Sequence, residues 1–138
     1  EARGGSQAMK LAMKEAGYKV GETVYVNAHG TGTPMNDSIE TAAIKIALGE
    51  EEAKKAYISS TKSMTGHMLG AAGAIEALAC IMALNEDIIP PTINLKEQDP
   101  KCDLNYVPNQ AVNVKIDLAL SNSLGFGGHN ACIAFRKV

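Results

Sequence analysis

The feature that most restricts the fold is a pattern that occurs twice: a strand-like segment, a loop that holds a histidine beside glycine, and a helix. Residues 23–28 (TVYVNA) run through HGTGTP into a helix near Asp37, and residues 56–60 (AYISS) run through 61–67 into a long helix over 68–84. Strands that are each followed by a helix lie parallel in one sheet. The sequence therefore predicts an α/β fold with a mixed, mostly parallel sheet and packed helices.

The remaining segments complete this prediction. Asp37 with Glu40 three residues later resembles a capping box at the start of a helix. Residues 85–113 hold four of the five prolines, which favours an irregular excursion with at most short strands. Residues 117–121 and 131–135 are predicted as the last two strands, joined by a glycine-rich loop.

Length, charge and cysteine usage exclude several classes of protein. The 138 residues suit one domain, and a hydrophobic fraction of 46% is enough for a packed core. The net charge of −2 gives no sign of the basic surface with which proteins bind nucleic acid. Cys80, Cys102 and Cys132 have neither disulfide nor zinc spacing, so we expect a reducing, cytoplasmic environment.

The apolar run 63–85 is interrupted by Glu76 and predicts a buried helix, packed on nearly all sides, rather than a membrane span.

Two histidines are candidates for chemistry. His29 and His67 each lie in the loop after a predicted strand, and the carboxyl edge of the strands is where open α/β sheets build their sites. Glycines beside both histidines allow another backbone or a ligand to approach closely. Taken singly, each could be a loop histidine satisfied by water; together they favour a site in which the two rings converge.

Glu76 is the only formal charge between Lys62 and Glu86, in the middle of an apolar helix. A buried carboxylate without a partner lowers the stability of the fold by several kcal/mol. Removing one partner of a buried ion pair typically costs about 3–5 kcal/mol. Glu76 therefore needs a partner, either Lys62 or a bound cation held with Asn and Ser oxygens. The alternative is that Glu76 lies on a narrow solvent-facing stripe.

The string Gly125-Phe126-Gly127-Gly128 is either a flexible turn around an anchoring aromatic ring or a nest of backbone N–H groups that faces an oxyanion. The sequence contains no dinucleotide fingerprint, P-loop or G-x-S-x-G motif, so nucleotide binding and serine hydrolysis have no support. None of the three cysteines occupies a turn that would activate a thiolate.

Four strings together resemble the 3-oxoacyl-acyl-carrier-protein synthases, within the thiolase-like condensing enzymes. They are NAHGTGTPMNDSIE (27–40), STKSMTGHMLGAAGAIEA (60–77), PPTINL (90–95) and SNSLGFGGHN (121–130). The resemblance implies that residues 1–138 are the C-terminal half of a thiolase-like fold, without its first strand and without the nucleophilic cysteine of the N-terminal half. The chain begins at a helix without Met, so we expect it to be part of a longer protein and to be inactive alone.

The resemblance also implies roles for individual residues. His29 and His67 correspond to the two histidines of a Cys-His-His site that elongates an acyl chain by decarboxylative condensation, where neutral N–H groups stabilise an enolate oxygen. Lys62 corresponds to the lysine next to the second histidine, and Glu76 to the glutamate that pairs with it. Phe126 corresponds to a gating phenylalanine whose backbone N–H is an oxyanion donor.

Further implied features concern ligands and partners. Thr31 and Thr33 correspond to the threonines that bind the pantetheine amides. No cofactor is expected, because phosphopantetheine arrives on the acyl carrier protein, but a structural Na⁺ or K⁺ is possible, with the ligand set Asn27, Glu76, Ser121 and Asn122. The expected partners are the acyl carrier protein and a second copy in a homodimer, with no nucleic acid and no membrane. Two residues depart from the family pattern: Leu124 stands where many relatives have Phe, and His129 where others have Thr.

Two other functions are compatible with parts of the pattern. A thiolase that acts on coenzyme A esters would have a second catalytic cysteine in the last glycine-rich loop, where this sequence has Phe126. A non-catalytic docking module, or a subunit like a chain-length factor, would not need both histidines and Lys62.

Overall fold

The computed structural model describes residues 2–138. The helices are α1 (Ala2–Glu15), α2 (Asn36–Leu48), α3 (Glu50–Lys55), α4 (Lys62–Thr65) and α5 (Ala72–Glu86), with 3₁₀ turns at Leu69–Ala71 and Phe126–Gly128. The strands are β1 (Val24–Asn27), β2 (Tyr57–Ser59), β3 (Ile88–Ile89), β4 (Val112–Asn113), β5 (Leu118–Leu124) and β6 (Asn130–Phe135).

The main sheet has four strands in the order β2-β1-β5-β6. Strand β1 is parallel to both β2 and β5, whereas β6 is antiparallel to β5. The register places Asn27 opposite Ser59 on one side and Ser121 on the other, so β1 and β2 end at the same edge, and β5 continues three residues beyond it. The predicted mixed, mostly parallel sheet is confirmed.

Alternate residues of the sheet face two separate cores, because successive side chains in a strand point to opposite faces. One face packs against α1 and α2, and the other against α5 and residues 88–116. The first core includes Met9, Val24, Val26, Ile44, Leu118 and Leu120. The second includes Tyr25, Cys80, Ala83, Leu84, Ile89, Val107, Ile116 and Ala119.

Helix α5 is less buried than the sequence predicts. Its buried residues form one stripe, namely Ala72, Glu76, Cys80, Ala83 and Leu84. Leu78 and Met82 are 52% and 58% exposed on the other side. The prediction of burial on nearly all sides is therefore wrong for the described residues, because the sheet covers only one face of the helix.

The same segment, Leu69–Glu86, is the one stretch of described residues whose length and mean hydropathy of 1.4 meet a composition test for a membrane span. Core helices also meet that test. Here the buried stripe of α5 packs on β5 and contains the charged side chain of Glu76.

Several element boundaries differ from the predictions. Helix α4 lies within the segment 61–67 that was predicted as a loop, and α5 begins at Ala72 rather than at residue 68. The segment 50–55 (EEEAKK) forms the short helix α3, with acidic residues in its first turn and lysines in its last, an order that the helix dipole favours. Strand β5 continues to Leu124, so Asn122 lies within the strand rather than in the loop that follows.

Candidate active site

The two candidate histidines meet at the edge where β1 and β2 end. His29 follows β1 by two residues, and His67 follows β2 after the short helix α4. The ring centroids are 5.6 Å apart with the planes at 87°, an edge-to-face arrangement. Parallel pairing of β1 with β2 brings the two loops together, as the sequence predicted.

Gly30 makes this close approach possible. Its φ is +43°, and a Cβ at this position would lie 2.5 Å from the Cβ of Ser60. The Ser60 hydroxyl donates a hydrogen bond of 2.7 Å to the Gly30 carbonyl, which joins the loop after β1 to the segment after β2. A side chain at residue 30 would separate the two histidine loops.

The carboxylate of Glu40 accepts hydrogen bonds from the backbone of the His29 loop. Its Oε1 accepts the His29 backbone N–H at 2.8 Å, and its Oε2 accepts the Gly30 backbone N–H at 2.9 Å. The side chain is buried, and its pKa is raised by burial against the opposing effect of these N–H donors. Glu40 is a site residue that the sequence interpretation missed.

The capping-box prediction for Asp37 and Glu40 is wrong. Helix α2 begins at Asn36, and Met35 makes no side-chain cap hydrogen bond. Its buried positions include Glu40, Ile44 and Leu48, which recur every four residues. That spacing was a signal in the sequence that could have placed Glu40 on the inward face.

The electrostatic environment keeps His29 neutral. Burial is the main cause that lowers its pKa, followed by the positive charge of Lys62 and then by His67, and the resulting pKa is about 4. At pH 7 the ring is therefore an uncharged imidazole with one N–H to donate.

The orientation of His67 is set by the turn that follows it. Its Nδ1 accepts the backbone N–H of Leu69 at 3.0 Å, and Leu69 has a φ of +51°. In the neutral ring the proton then resides on Nε2, which leaves that atom as the donor. In the described chain this ring is exposed.

Lys62 and Glu76 form a buried ion pair. The Lys62 Nζ donates to Glu76 Oε1, and the side chains are 6% and 3% exposed. The second carboxylate oxygen, Glu76 Oε2, is buried without a hydrogen-bond partner in the described chain. This pair joins the helix α4, beside His67, to the core helix α5.

The residues of the suggested cation set lie on different faces of the sheet. Asn27 faces α5, because its Nδ2 donates to Thr61 Oγ1 at 3.2 Å and approaches the carbonyl of Glu76 at 3.4 Å. Ser121 is on the same face, next to Cys80. The side chain of Asn122 points to the other face, so the structure does not bring it to Glu76. Among residues 2–138 no group of three or more His, Cys, Asp or Glu side chains is arranged to hold a metal ion.

The two threonines after His29 lie at the mouth of a cavity. Their hydroxyls are 3.2 Å apart, and the Thr33 oxygen also accepts the backbone N–H of Asn36. Thr31 and Thr33 line a cavity of about 580 Å³ between the loop, the start of α2 and residues 92–106. Neither histidine is among the residues that line this cavity, although Gly30, which follows His29, does line it.

Phe126 is fully exposed in the turn after β5. Gly127 and Gly128 follow it with φ of +76° and +82°, a conformation that glycine adopts without strain. The backbone N–H of Gly125 donates to the carbonyl of His129 at 2.7 Å, which closes the turn. The ring of Phe126 makes no buried contact with the described residues.

None of the three cysteine thiols is activated as a nucleophile. Burial raises the pKa of the Cys80 and Cys132 thiols to about 12, and burial also raises that of Cys102. A thiol with a raised pKa is a poor nucleophile at neutral pH. The described residues therefore provide imidazole donors and no activated thiolate.

At one edge of this sheet lie a converging histidine pair, a buried lysine–glutamate pair and a Gly-Phe-Gly-Gly turn. These are the features that the resemblance to the thiolase-like class implied. The family model described as "Beta-ketoacyl synthase, C-terminal domain" matches residues 1–96, and the chain belongs to this family.

Relatives support the assignment over nearly the whole chain. The 3-oxoacyl-[acyl-carrier-protein] synthase 2 of Synechocystis sp. is 56% identical over 137 residues, which are 99% of this chain and 33% of the relative. The enzyme of the same name from Staphylococcus aureus (strain COL) is 51% identical over the same shares. The chain thus spans about a third of the length of these relatives.

Solved structures show the same fold. The ishigamide ketosynthase/chain length factor superposes with a TM-score of 0.93 at 39% identity, covering 100% of this chain and 34% of that one. A beta-ketoacyl synthase from Burkholderia phymatum has a TM-score of 0.90 at 38% identity, covering 99% of this chain and 33% of that one.

Proposed function

We propose that this chain is the histidine-bearing C-terminal part of a condensing enzyme that elongates an acyl-acyl carrier protein with malonyl-acyl carrier protein in fatty-acid biosynthesis. The observation that carries the proposal is the pair of imidazoles 5.6 Å apart, one of them held neutral by burial and by Lys62. Two neutral N–H donors suit an oxygen on which negative charge develops.

In the proposed reaction the bond between the malonyl carboxylate and its α-carbon breaks, and carbon dioxide leaves. The electron pair stays on the thioester as an enolate, whose oxygen accepts N–H bonds from His29 and from Nε2 of His67. The enolate carbon attacks the acyl thioester, the bond to the nucleophile's sulfur breaks, and the thiolate leaves. The cysteine that carries the acyl group belongs to the other two thirds of the enzyme.

Other residues have supporting roles in the proposal. Thr31 and Thr33 present hydroxyls that can bind the amides of phosphopantetheine. The Phe126 backbone N–H is an oxyanion donor and its exposed ring a gate. Lys62 and Glu76 hold the segment before His67 against the core, and the lysine charge disfavours protonation of His29.

The acyl carrier protein is the proposed partner. A type II polyketide ketosynthase solved in complex with its acyl-carrier protein superposes with a TM-score of 0.92 at 41% identity. The exposed apolar side of α5, with Leu78 and Met82, is the surface that the rest of the enzyme would cover. A homodimer in the cytoplasm completes the proposal, and the unpaired cysteines support the reducing location.

A structural Na⁺ or K⁺ fits part of the suggested ligand set. Glu76 Oε2 is buried without a partner among residues 2–138, and Asn27 and Ser121 lie on the same face of the sheet. A cation there would neutralise that oxygen and tie β1, β5 and α5 together. The side chain of Asn122 does not fit the set, because it points to the other face.

A non-catalytic role like that of a chain-length factor is the second candidate, because a ketosynthase/chain length factor structure has the same fold. The decisive experiment uses the whole enzyme that contains this chain and measures carbon dioxide release from malonyl-acyl carrier protein. We expect release, and a loss of about 100-fold or more in His29→Ala, since removing one such donor typically has that effect.

His129→Thr is the matched control, because it changes the third histidine of the chain to the residue that relatives have. We expect it to retain activity within about 2-fold. Absence of release from the unmodified enzyme would favour the non-catalytic role.

A further inference from the structure

Asn122 is a buried amide in an apolar setting. It is 2% exposed on β5, on the sheet face that Leu118 and Leu120 share with Met9. Its Nδ2 donates to Glu40 Oε1 at 3.2 Å and approaches Met9 Sδ at 3.5 Å, while its Oδ1 has no partner among the described residues.

A side chain in this position is unfavourable for stability. A buried polar atom without a hydrogen bond lowers the stability of the fold, and an apolar residue of the same shape avoids that loss. An amide that leaves its carbonyl oxygen unsatisfied therefore needs a reason. The reason lies in its N–H group, which is directed at the carboxylate of Glu40.

That carboxylate receives four N–H donors among the described residues. Two are the backbone groups of His29 and Gly30, and a third is Nδ2 of Asn36, from its own helix, at 3.4 Å. The fourth is Asn122, which is the one donor from the sheet. Asn122 thus sets the position of the Glu40 head group relative to the strands, and Glu40 in turn holds the backbone of His29.

The same contact joins the two loops that flank the site. Strand β5 continues from Asn122 to Leu124 and then enters the turn of Phe126. The carboxylate of Glu40 is therefore bonded both to the loop of His29 and to the strand that carries the Phe126 turn.

We infer that Asn122 is a positioning residue for His29, acting through Glu40. Through the same contact it fixes the position of the His29 loop relative to the strand that leads to Phe126. The inference rests on the proposed function, because it concerns the placement of the enolate donor. Asn122 acts on decarboxylation and not on loading of the acyl group, since loading occurs at the cysteine of the other part of the enzyme.

The test uses Asn122→Leu in the whole enzyme, a change that keeps the branched shape of the side chain, makes it somewhat larger and removes the donor. For carbon dioxide release from malonyl-acyl carrier protein we expect kcat to fall about 10- to 100-fold, as small displacements of catalytic groups do, with KM within about 2-fold. Acyl loading on the nucleophile, measured by intact mass, should change by less than about 2-fold.

Asn122→Asp is the second variant, because it has the same size and replaces the N–H donor with a carboxylate oxygen that faces Glu40. We expect it to lose decarboxylation at least as strongly as the leucine variant. Asn113→Leu, at an exposed asparagine of β4, is the matched control and should behave like the unmodified enzyme.

A structural defect would lower loading and decarboxylation in the same proportion, and that result would overturn the inference. Unchanged decarboxylation in both Asn122 variants would also overturn it, while leaving the proposed function intact. If the unmodified enzyme released no carbon dioxide, the proposed function would fail, and this inference with it.

Discussion

Neutralising Glu76 tests the buried ion pair most directly. In the whole enzyme, Glu76→Gln keeps the shape of the side chain and leaves the Lys62 ammonium without its counter-charge. Breaking a buried pair costs about 3–5 kcal/mol. The side chains of Glu76 and Lys62 are only 3% and 6% exposed, so water screens their charges little and the range for buried pairs applies.

The structure favours the lower end of that range. Glu76 Oε2 has no hydrogen-bond partner among the described residues, so the substitution removes only the contact that Oε1 makes with Lys62. We expect the free energy of unfolding to fall by about 3 kcal/mol, measured from the denaturant midpoint by fluorescence and circular dichroism. The double variant Lys62→Met with Glu76→Met should recover most of the loss, because no charge then remains buried.

The matched control is the exposed pair of Lys137 and Asp87, whose side chains are 41% and 37% exposed. Lys137→Met should leave the denaturant midpoint unchanged within error. A change smaller than about 0.5 kcal/mol in Glu76→Gln would refute the burial argument. So would a double variant that is less stable than either single variant.

Two other predictions concern the His29 loop. NMR titration of the His29 imidazole should give a pKa near 4, which rises in Lys62→Met because a positive charge is removed; a value near the ordinary 6.5 would contradict the neutral-donor role. Since the unfolded state binds this proton at higher pH than the folded state, stability should decline as pH falls from about 6.5 towards 4. Gly30→Ala should lower the free energy of unfolding by about 1–2 kcal/mol because of the positive φ at this residue. The clash with Ser60 should lower it by a further ~1–3 kcal/mol, and carbon dioxide release should be abolished. Gly17→Ala, at a φ of +65° with nothing within 4 Å, should show the first effect alone, and equal losses in the two variants would argue against the close approach.

Much of the fold could be predicted from local patterns. Alternation, turn residues and helical spacing are properties of short stretches, and they predicted β1 and β2, the histidine loops, and an irregular 85–113 segment with at most short strands. Parallel pairing then followed from the order of the elements. The convergence of His29 and His67 was predictable for that reason, because each follows a strand of the same sheet.

The errors occurred where a side chain's direction depended on one residue of register. Glu40 was assigned to a helix cap, but a rotation of about 100° per residue places it inward with Ile44 and Leu48. Asn122 was grouped with Ser121 as a cation ligand, but neighbouring residues of a strand face opposite sides. The burial of α5 was overestimated because apolar composition does not show how many faces have a partner.

The sequence by itself determined the two strand–loop–helix units, the need of Glu76 for a counter-charge, and the glycines that let two loops approach. These depend on residue type and on short-range spacing. Only the tertiary structure decided that Lys62 meets Glu76, that Glu40 holds the backbone of His29, and that Asn122 bonds Glu40. The physical reason is that these contacts join residues far apart in the chain, so their partners are set by strand register and helix rotation rather than by local sequence.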